Sequence, residues 1–120
     1  MALNTQLLGT RLDLELFAKT TLGPIMFQVL DEQGDPWPIT SLDEIHIWVK
    51  SHPDDPDVDA LISRKAQVVE PSTATFQITL SPGETDLANN NYVHQIILSD
   101  GVNQYVIFYG DFIIQDRIPN

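Results

Sequence analysis

Apolar and polar residues alternate along most of this chain, which predicts β-strands with one buried face. The alternation begins over residues 11–17, where leucines alternate with charged residues. It recurs in four further segments, whose expected inward residues are Ile25, Phe27 and Val29; Ile45, Ile47 and Val49; Phe76, Ile78 and Leu80; and Tyr92, His94, Ile96 and Leu98. Weaker strands are expected near 61–64 and 66–70, and the last strands over 104–116, with a bulge or bend at Gly110.

Turn signals separate these segments and complete the predicted fold. Asp100 and Gly101 form a dipeptide typical of hairpins, and Ser81 with Glu84 has the spacing of a capping box, which predicts one short helical turn. The pattern therefore predicts an all-β, immunoglobulin-like antiparallel sandwich of seven to nine strands. With 120 residues the chain has the size of one domain, placed at 11–120, after an N-terminal arm at 1–10.

The charge balance narrows the possible partners. The chain has 6 Lys and Arg against 17 Asp and Glu, a formal net charge of −11. Direct nucleic-acid binding is not expected, because that affinity comes mainly from Lys and Arg neutralising phosphates. Anionic membrane surfaces are disfavoured for the same reason. The longest wholly apolar run, 105–109, is far short of a membrane span, so a soluble chain made in a cytoplasm is expected.

Candidate catalytic and metal-binding chemistry is sparse in the sequence. Asp55, Asp57 and Asp59 have the spacing that opens a calcium loop, but Ala60 and Ala66 stand where an EF-hand needs Gly and Glu. A solvated acidic loop is therefore favoured over weak cation binding, and no cofactor or metal is predicted. There are no cysteines, which excludes a thiolate nucleophile.

The three histidines do not form a predicted site. None has the i, i+2 or i, i+4 partner that would place two ring nitrogens on one metal. His46 and His94 are expected on opposite faces of the sheet, His94 half-buried and hydrogen-bonded, and His52 on the surface. No nucleophile elbow or phosphate-binding loop is present. A non-enzymatic protein is therefore predicted.

Apolar residues also occupy positions that should face outward. If Ile45, Ile47 and Val49 point inward, His46 and Trp48 point outward; by the same rule Val93 and Ile97 point outward. Residues 105–109 are apolar on both sides. Such patches mark contact sites, although loops or the N-terminal arm of the same chain could cover them. The candidate partner-binding residues are Trp48, Ile97, Tyr105 and Tyr109.

The order of these segments resembles the immunoglobulin-like N-terminal domain of phage baseplate upper proteins and its small stand-alone relatives among tailed-phage structural proteins. The likeness runs from about Leu12 onward and is a pattern rather than a signature motif. The segments that carry it are 12–16, 29–34, 45–50, 74–81, 92–101 and 109–114. The resemblance implies a scaffold that attaches receptor-binding proteins, fibres or head components and usually forms oligomers. It brings no catalytic residues with it.

Two departures from that family refine the expectation. Pro24 stands where the family usually has hydroxylated or apolar residues, so its strand is expected to start later or lie at an edge. The chain also ends at Asn120, without the helical or fibre-bearing region of the baseplate proteins. This favours a compact adaptor, cement or decoration subunit over a fibre carrier.

The leading hypothesis is thus a structural protein of a tailed-phage virion, assembled in the host cytoplasm. It acts as an adaptor or attachment subunit in the tail or baseplate, bound to other virion proteins and to copies of itself. A head decoration or cement protein is the first alternative. A carbohydrate- or receptor-binding module is the second, and a hydrolase is the least favoured class.

Overall fold

A computed structural model describes residues 10–116 except 32, 38, 41, 42 and 89. The described chain is built from strands and two short 3₁₀ turns, at Asp57–Asp59 and Pro71–Thr73. The strands are β1 (Thr10–Arg11), β2 (Leu14–Phe17), β3 (Leu22–Gln28), β4 (Glu44–Lys50), β5 (Ile62–Lys65), β6 (Gln67–Glu70), β7 (Thr75–Leu80), β8 (Asn90–Ser99) and β9 (Gln104–Gln115). The predicted arm at 1–10 lies outside the described residues apart from Thr10, which belongs to β1.

The strands form two sheets of unequal size. The six-stranded sheet has the order β1-β9-β8-β4-β5, with β2 following β1 along the same edge of β9. Strands β5, β4, β8 and β9 pair antiparallel, whereas β1 and β2 run parallel to β9. The three-stranded sheet has the order β3-β7-β6, all antiparallel. The chain is therefore an all-β sandwich, as the alternation predicts.

One residue carries the chain from the large sheet to the small one. Ala66 separates β5 from β6, is buried, and donates its N–H to the carbonyl of Ile45 at 2.8 Å. Pro24 lies within β3, which is an edge strand of the small sheet. That position suits proline, because an edge strand does not need every N–H for pairing. The expected edge location is confirmed.

The core lies between the sheets and contains the predicted inward residues. Phe27 and Phe76 of the small sheet stack at 5.1 Å, and Phe108 of the large sheet meets Phe27 at 5.3 Å. Burying such rings supplies much of the stabilising apolar area of a small domain. The predicted inward residues that are buried are Phe27, Val29, Ile45, Ile47, Val49, Phe76, Ile78, Leu80, Tyr92, His94, Ile96 and Leu98. Ile25 is partly buried against the same core.

The irregularity of β9 differs from the prediction. The register with β8 shifts at Ile107, because Ile96 pairs with Phe108 and Ile97 pairs with Val106. The bulge therefore lies at Ile107 rather than at Gly110. Gly110 instead permits a close approach: an added Cβ would overlap the carbonyl oxygen of Leu12.

The segment predicted as a helical turn forms hydrogen-bonded turns and no helix. The reciprocal capping-box bonds are nevertheless present: the N–H of Ser81 donates to the Glu84 carboxylate at 2.9 Å, and the N–H of Glu84 donates to the Ser81 hydroxyl at 3.3 Å. Thr85 closes the turn with an N–H bond to the carbonyl of Ser81. A capping box fixes how a turn begins, and this segment ends before a second turn can form.

Candidate binding face

The outer side of the six-stranded sheet combines aromatic and aliphatic side chains with few polar ones. We call this surface the aromatic face. Its residues are His46 and Trp48 of β4, Val93, Gln95 and Ile97 of β8, and Val106 and Tyr109 of β9. All are partly or largely exposed, and Tyr109 is 41% exposed. An antiparallel sheet face turned to water is usually polar, so the aromatic face departs from the pattern.

Strand pairing aligns these residues in rows across the sheet. Trp48 pairs with Gln95, and Gln95 pairs with Tyr109. Two strand spacings separate the outer members, about 10 Å in all. The neighbouring row joins His46, Ile97 and Val106. The rings are therefore spread across the centre of the sheet rather than gathered at one edge.

His46 supports Trp48 within this surface. The two rings stack at a centroid distance of 4.4 Å, and a His46 ring nitrogen lies 2.7 Å from the Ser63 hydroxyl on β5. Partial burial lowers the pKa of His46, although Glu44 opposes the shift. A neutral imidazole stacked against the indole adds apolar area without a charge that a partner would have to desolvate.

The charged groups around the aromatic face are paired within the chain. Lys50 pairs with Val93 across the sheet, and its ammonium nitrogen lies 2.6 Å from the Asp57 carboxylate. Lys65 at the β5 edge lies 3.5 Å from Glu44. At the opposite edge a guanidinium nitrogen of Arg11 lies 3.3 Å from carboxylates of both Asp13 and Asp111. The pairs of Arg11 and Lys65 are exposed and add little stability, whereas Lys50 is buried. Together the pairs leave the face close to neutral in a chain of net charge −11.

A shallow depression interrupts the aromatic face. It has a volume of about 260 Å³ and lies between Tyr109, Val93 and Gln95, with Pro53 at one wall and the Arg11–Asp111 pair at another. A cavity of roughly 150 Å³ holds benzene. The depression is therefore large enough for one aromatic side chain or one sugar ring.

Three of the four predicted partner-binding residues lie together. Trp48, Ile97 and Tyr109 all belong to the aromatic face. Tyr105 does not: it pairs with the inward residue Leu98 and packs against Trp37, with ring centroids 6.1 Å apart. The predicted outward orientation of His46, Trp48, Val93 and Ile97 is confirmed.

Sequence reasoning missed several members of the site. Val106 belongs to an unbroken apolar run, and Arg11 is one of several charged residues in the first alternating segment, so neither stands out in the sequence. Gln95 was assigned no role because one glutamine carries no signal by itself. The parallel pairing that brings β1 next to β9 is what places Arg11 beside Tyr109.

His94 lies at the inner side of the same sheet and ties the N-terminal edge to it. It is 1% exposed, more deeply buried than expected, and its Nε2 donates to the carbonyl of Leu12. This bond spans Gly110, which pairs with His94 in the register. Burial lowers the pKa of His94, partly offset by the bond to Leu12 and by Asp13 and Asp111. Nδ1 has no hydrogen-bond partner among the described residues.

The acidic loop is engaged in local contacts. Asp57 binds Lys50, and the Asp55 carboxylate accepts the N–H of His52 at 3.2 Å. Across the described ranges, no group of three His, Asp or Glu side chains could hold a metal ion. Nor does any helix within those ranges have the length and apolar character of a membrane span.

The outer side of the three-stranded sheet, here called the polar face, provides a contrast within the molecule. Its side chains are mostly amides and hydroxyls. They include Met26, Gln28, Gln67, Thr75, Gln77 and Thr79. Gln77 donates to Gln67 at 2.9 Å. Met26, at 53% exposure, offers a matched apolar control for the aromatic face.

Comparisons with known proteins add no family assignment. No protein-family model matches the chain, and no curated protein matches it either.

Proposed function

We propose that this chain is a non-enzymatic binding protein that docks other proteins through the aromatic face. The observation that carries the proposal is the apolar and aromatic composition of that face, at positions where the sheet turns outward. Aromatic side chains dominate the energetics of protein interfaces, because they bury large areas with few rotatable bonds. The rings of His46 and Trp48 on β4 and of Tyr109 on β9 lie on either side of β8, within reach of one partner surface.

The paired charges around the face favour a protein partner. Burying an unpaired charge costs several kcal/mol, whereas Arg11, Lys50 and Lys65 each bind a carboxylate of the same chain. A partner would cover groups that are already neutralised. This arrangement resembles the interfaces of protein complexes, which have an apolar centre and a polar rim.

We further propose that the sandwich is immunoglobulin-like. The strand orders support this: β3-β7-β6 corresponds to the smaller sheet of that topology, and β9-β8-β4-β5 to the larger one. The start of β8 supports it too. The Tyr92 hydroxyl donates to the carbonyl of Ala88, four residues upstream, at 2.8 Å. A tyrosine at that corner with that bond is a hallmark of immunoglobulin-like domains.

The proposed biological role is that of a structural protein in a tailed-phage virion, assembled in the host cytoplasm. It acts as an adaptor or attachment subunit in the tail or baseplate, bound to other virion proteins. The resemblance over 12–114 supports this role, and the tyrosine corner supports the fold that the resemblance implies. A head decoration or cement protein would use the same face and is the alternative within this class.

A carbohydrate- or receptor-binding module is the second candidate, because the aromatic face is concave in one place. The depression sets Tyr109 beside Gln95 and the Arg11–Asp111 pair. A sugar ring needs an apolar ring to stack on and polar groups at its edge, and both are present. The apolar surface nevertheless extends over three strands, well beyond the depression, and this extent favours a protein partner.

The test is binding to purified tail, baseplate and capsid proteins of the same virion, measured by biolayer interferometry. We expect Trp48→Ala and Tyr109→Ala each to weaken binding about tenfold or more. Met26→Ala, on the polar face, should leave binding unchanged. Equal binding by wild type and Trp48→Ala would show that the contact lies elsewhere. Glycan-array binding without protein binding would favour the second candidate.

A further inference from the structure

The edge formed by residues 10–13 is tied to the large sheet by one buried side chain. His94 of β8 is 1% exposed, and its Nε2 donates to the carbonyl oxygen of Leu12 at 2.5 Å. We infer that this contact is a pH-sensitive switch: protonation of His94 releases residues 10–13 from β9 while the rest of the sandwich stays folded. The inference goes beyond the proposed function and holds whichever partner the aromatic face takes.

The site of His94 fits the neutral ring and not the charged one. Because the carbonyl oxygen of Leu12 can only accept, the neutral ring carries its single proton on Nε2 and a lone pair on Nδ1. Protonation adds a second N–H at Nδ1, which has no hydrogen-bond partner among the described residues. A buried cation with an unpaired donor is costly, and burial lowers the pKa of His94. The protonated ring is therefore favoured only where water can reach it.

Two carboxylates near the ring act in the opposite direction. Asp13 lies at the end of the edge and Asp111 lies on β9, and both favour the charged imidazole. Arg11 lies 3.3 Å from each carboxylate, so its guanidinium offsets part of their attraction for the imidazole. Burial is the larger influence, since the pKa of His94 is lowered in spite of both carboxylates. The carboxylates limit the release without preventing it.

Residues 10–13 are weakly held compared with the strand that follows them. β1 pairs with β9 over two residues, both exposed, whereas β2 pairs over four and buries Leu16. Besides this pairing, release breaks the bond from the N–H of Leu12 to the carbonyl of Tyr109, 2.7 Å long. It also breaks the bond from the N–H of Asp111 to the Asp13 carboxylate, 2.8 Å long. Segments with few buried contacts open at a low free energy, so this edge opens before the core does.

Release also changes the border of the aromatic face. Arg11 and Asp111 form one wall of the depression beside Tyr109. When residues 10–13 leave β9, Arg11 leaves this wall, and the edge of β9 loses its partner at Phe108 and Tyr109. An unpaired strand edge can accept another strand. The switch therefore makes the shape of the depression and the exposure of this edge depend on pH, below the ordinary histidine pKa of 6.5.

The first experiment measures amide hydrogen exchange of the full chain by NMR at about pH 7.5 and about pH 5.5, corrected for intrinsic exchange rates. One proton on a ring of ordinary pKa 6.5 raises the population of the open edge at most about tenfold between these values. The N–H groups of Leu12 and Asp111 should lose protection several-fold, up to that limit. Those of Val29 and Ala66, which bond to Ala74 and Ile45, should keep theirs. Unchanged protection at Leu12, or an equal loss at all four amides, would overturn the inference.

The second experiment identifies the titrating group by repeating the measurement on two variants. His94→Gln keeps a donor for Leu12 and does not titrate, so protection at Leu12 should be the same at both pH values. His46→Gln is the matched control, because His46 also has a lowered pKa but lies on the outer side of the sheet, stacked on Trp48. Its edge should respond to pH as the wild type does. A pH response at Leu12 that persists in His94→Gln, or that is lost in His46→Gln, would assign the release to another group and overturn the inference.

Discussion

The two outer faces of the sandwich obey the same backbone geometry and carry opposite chemistry. On the polar face, outward positions are mostly amides and hydroxyls, such as Gln77, which donates to Gln67, and the exposed Met26 is an apolar residue among them. On the aromatic face, the equivalent positions are Trp48, Ile97 and Tyr109. Strand alternation determines only which residues point outward. The chemistry of the outward side chains reflects the environment of each face, and that of the polar face is suited to water.

The faces also differ in how their edges are built. β3 and β6 border the polar face as ordinary antiparallel edge strands. The aromatic face is bordered on one side by β1 and β2, which reach β9 only because Gly110 leaves room for Leu12. The edge of the aromatic face thus depends on the absence of a side chain at position 110.

The largest expected effect comes from filling that space. In Gly110→Ala, the new Cβ would overlap the Leu12 carbonyl and crowd the Asp13 carboxylate, 2.6 Å away. We expect a loss of about 2–3 kcal/mol in the free energy of unfolding, measured by urea denaturation. Arg11 would move with the displaced edge, so binding through the aromatic face should weaken as well.

Gly83→Ala is the matched control for that substitution. Its Cβ would meet only the Ser81 hydroxyl, at an ordinary contact distance of 3.9 Å. The free energy of unfolding should change by less than about 0.5 kcal/mol. If the two variants were equally stable, the close approach at Gly110 would not be needed for the fold.

An intermediate effect is expected from pH. Burial lowers the folded-state pKa of His94 below its ordinary value of 6.5, and that of His46 shifts the same way. Between 6.5 and those lowered values the unfolded chain binds more protons than the folded one. The free energy of unfolding should therefore fall as pH drops from about 7.5 through 6.5. Urea denaturation at several pH values measures the slope.

His94→Gln separates this effect from other titrations, because an amide can still donate to Leu12. The variant should show a shallower fall over the same pH window. The lowered pKa values of Glu84 and Asp100 contribute only at more acid pH, below their ordinary values of 4.5 and 3.8. A slope unchanged in His94→Gln would remove His94 as the cause.

The smallest effect is expected on the polar face. Gln77→Ala removes a single exposed hydrogen bond to Gln67, so the free energy of unfolding should change by less than about 0.5 kcal/mol. Trp48→Ala, half-buried against His46, should cost about 1 kcal/mol by the same measurement. Equal losses in the two variants would mean that the faces do not differ in packing.

Much of the sandwich could be predicted from alternation alone. The inward sets in β4, β7 and β8 were identified correctly because each strand keeps its period of two from end to end. The same rule placed Trp48 and Ile97 on the outer side. What a period of two cannot give is the partner of a strand, so the parallel pairing of β1 and β2 with β9 was not foreseen.

Tyr105 shows where the same rule fails. Residues four apart in a regular strand share a face, which would place Tyr105 with Tyr109. The extra residue at Ile107 reverses the sense of the strand between them, so Tyr105 packs inward. A bulge of this kind is marked by no glycine, and its apolar neighbours on both sides hide the change of face.

The parallel pairing has a mechanical consequence. β1 and β2 share two and four residue pairs with β9 and run in the same direction. The chain therefore enters this pairing at one end of the sheet and leaves it at the other. Tension applied through the chain at these two points would slide the strands along each other. The hydrogen bonds between β9 and these two strands would be loaded in shear and would break together rather than one after another.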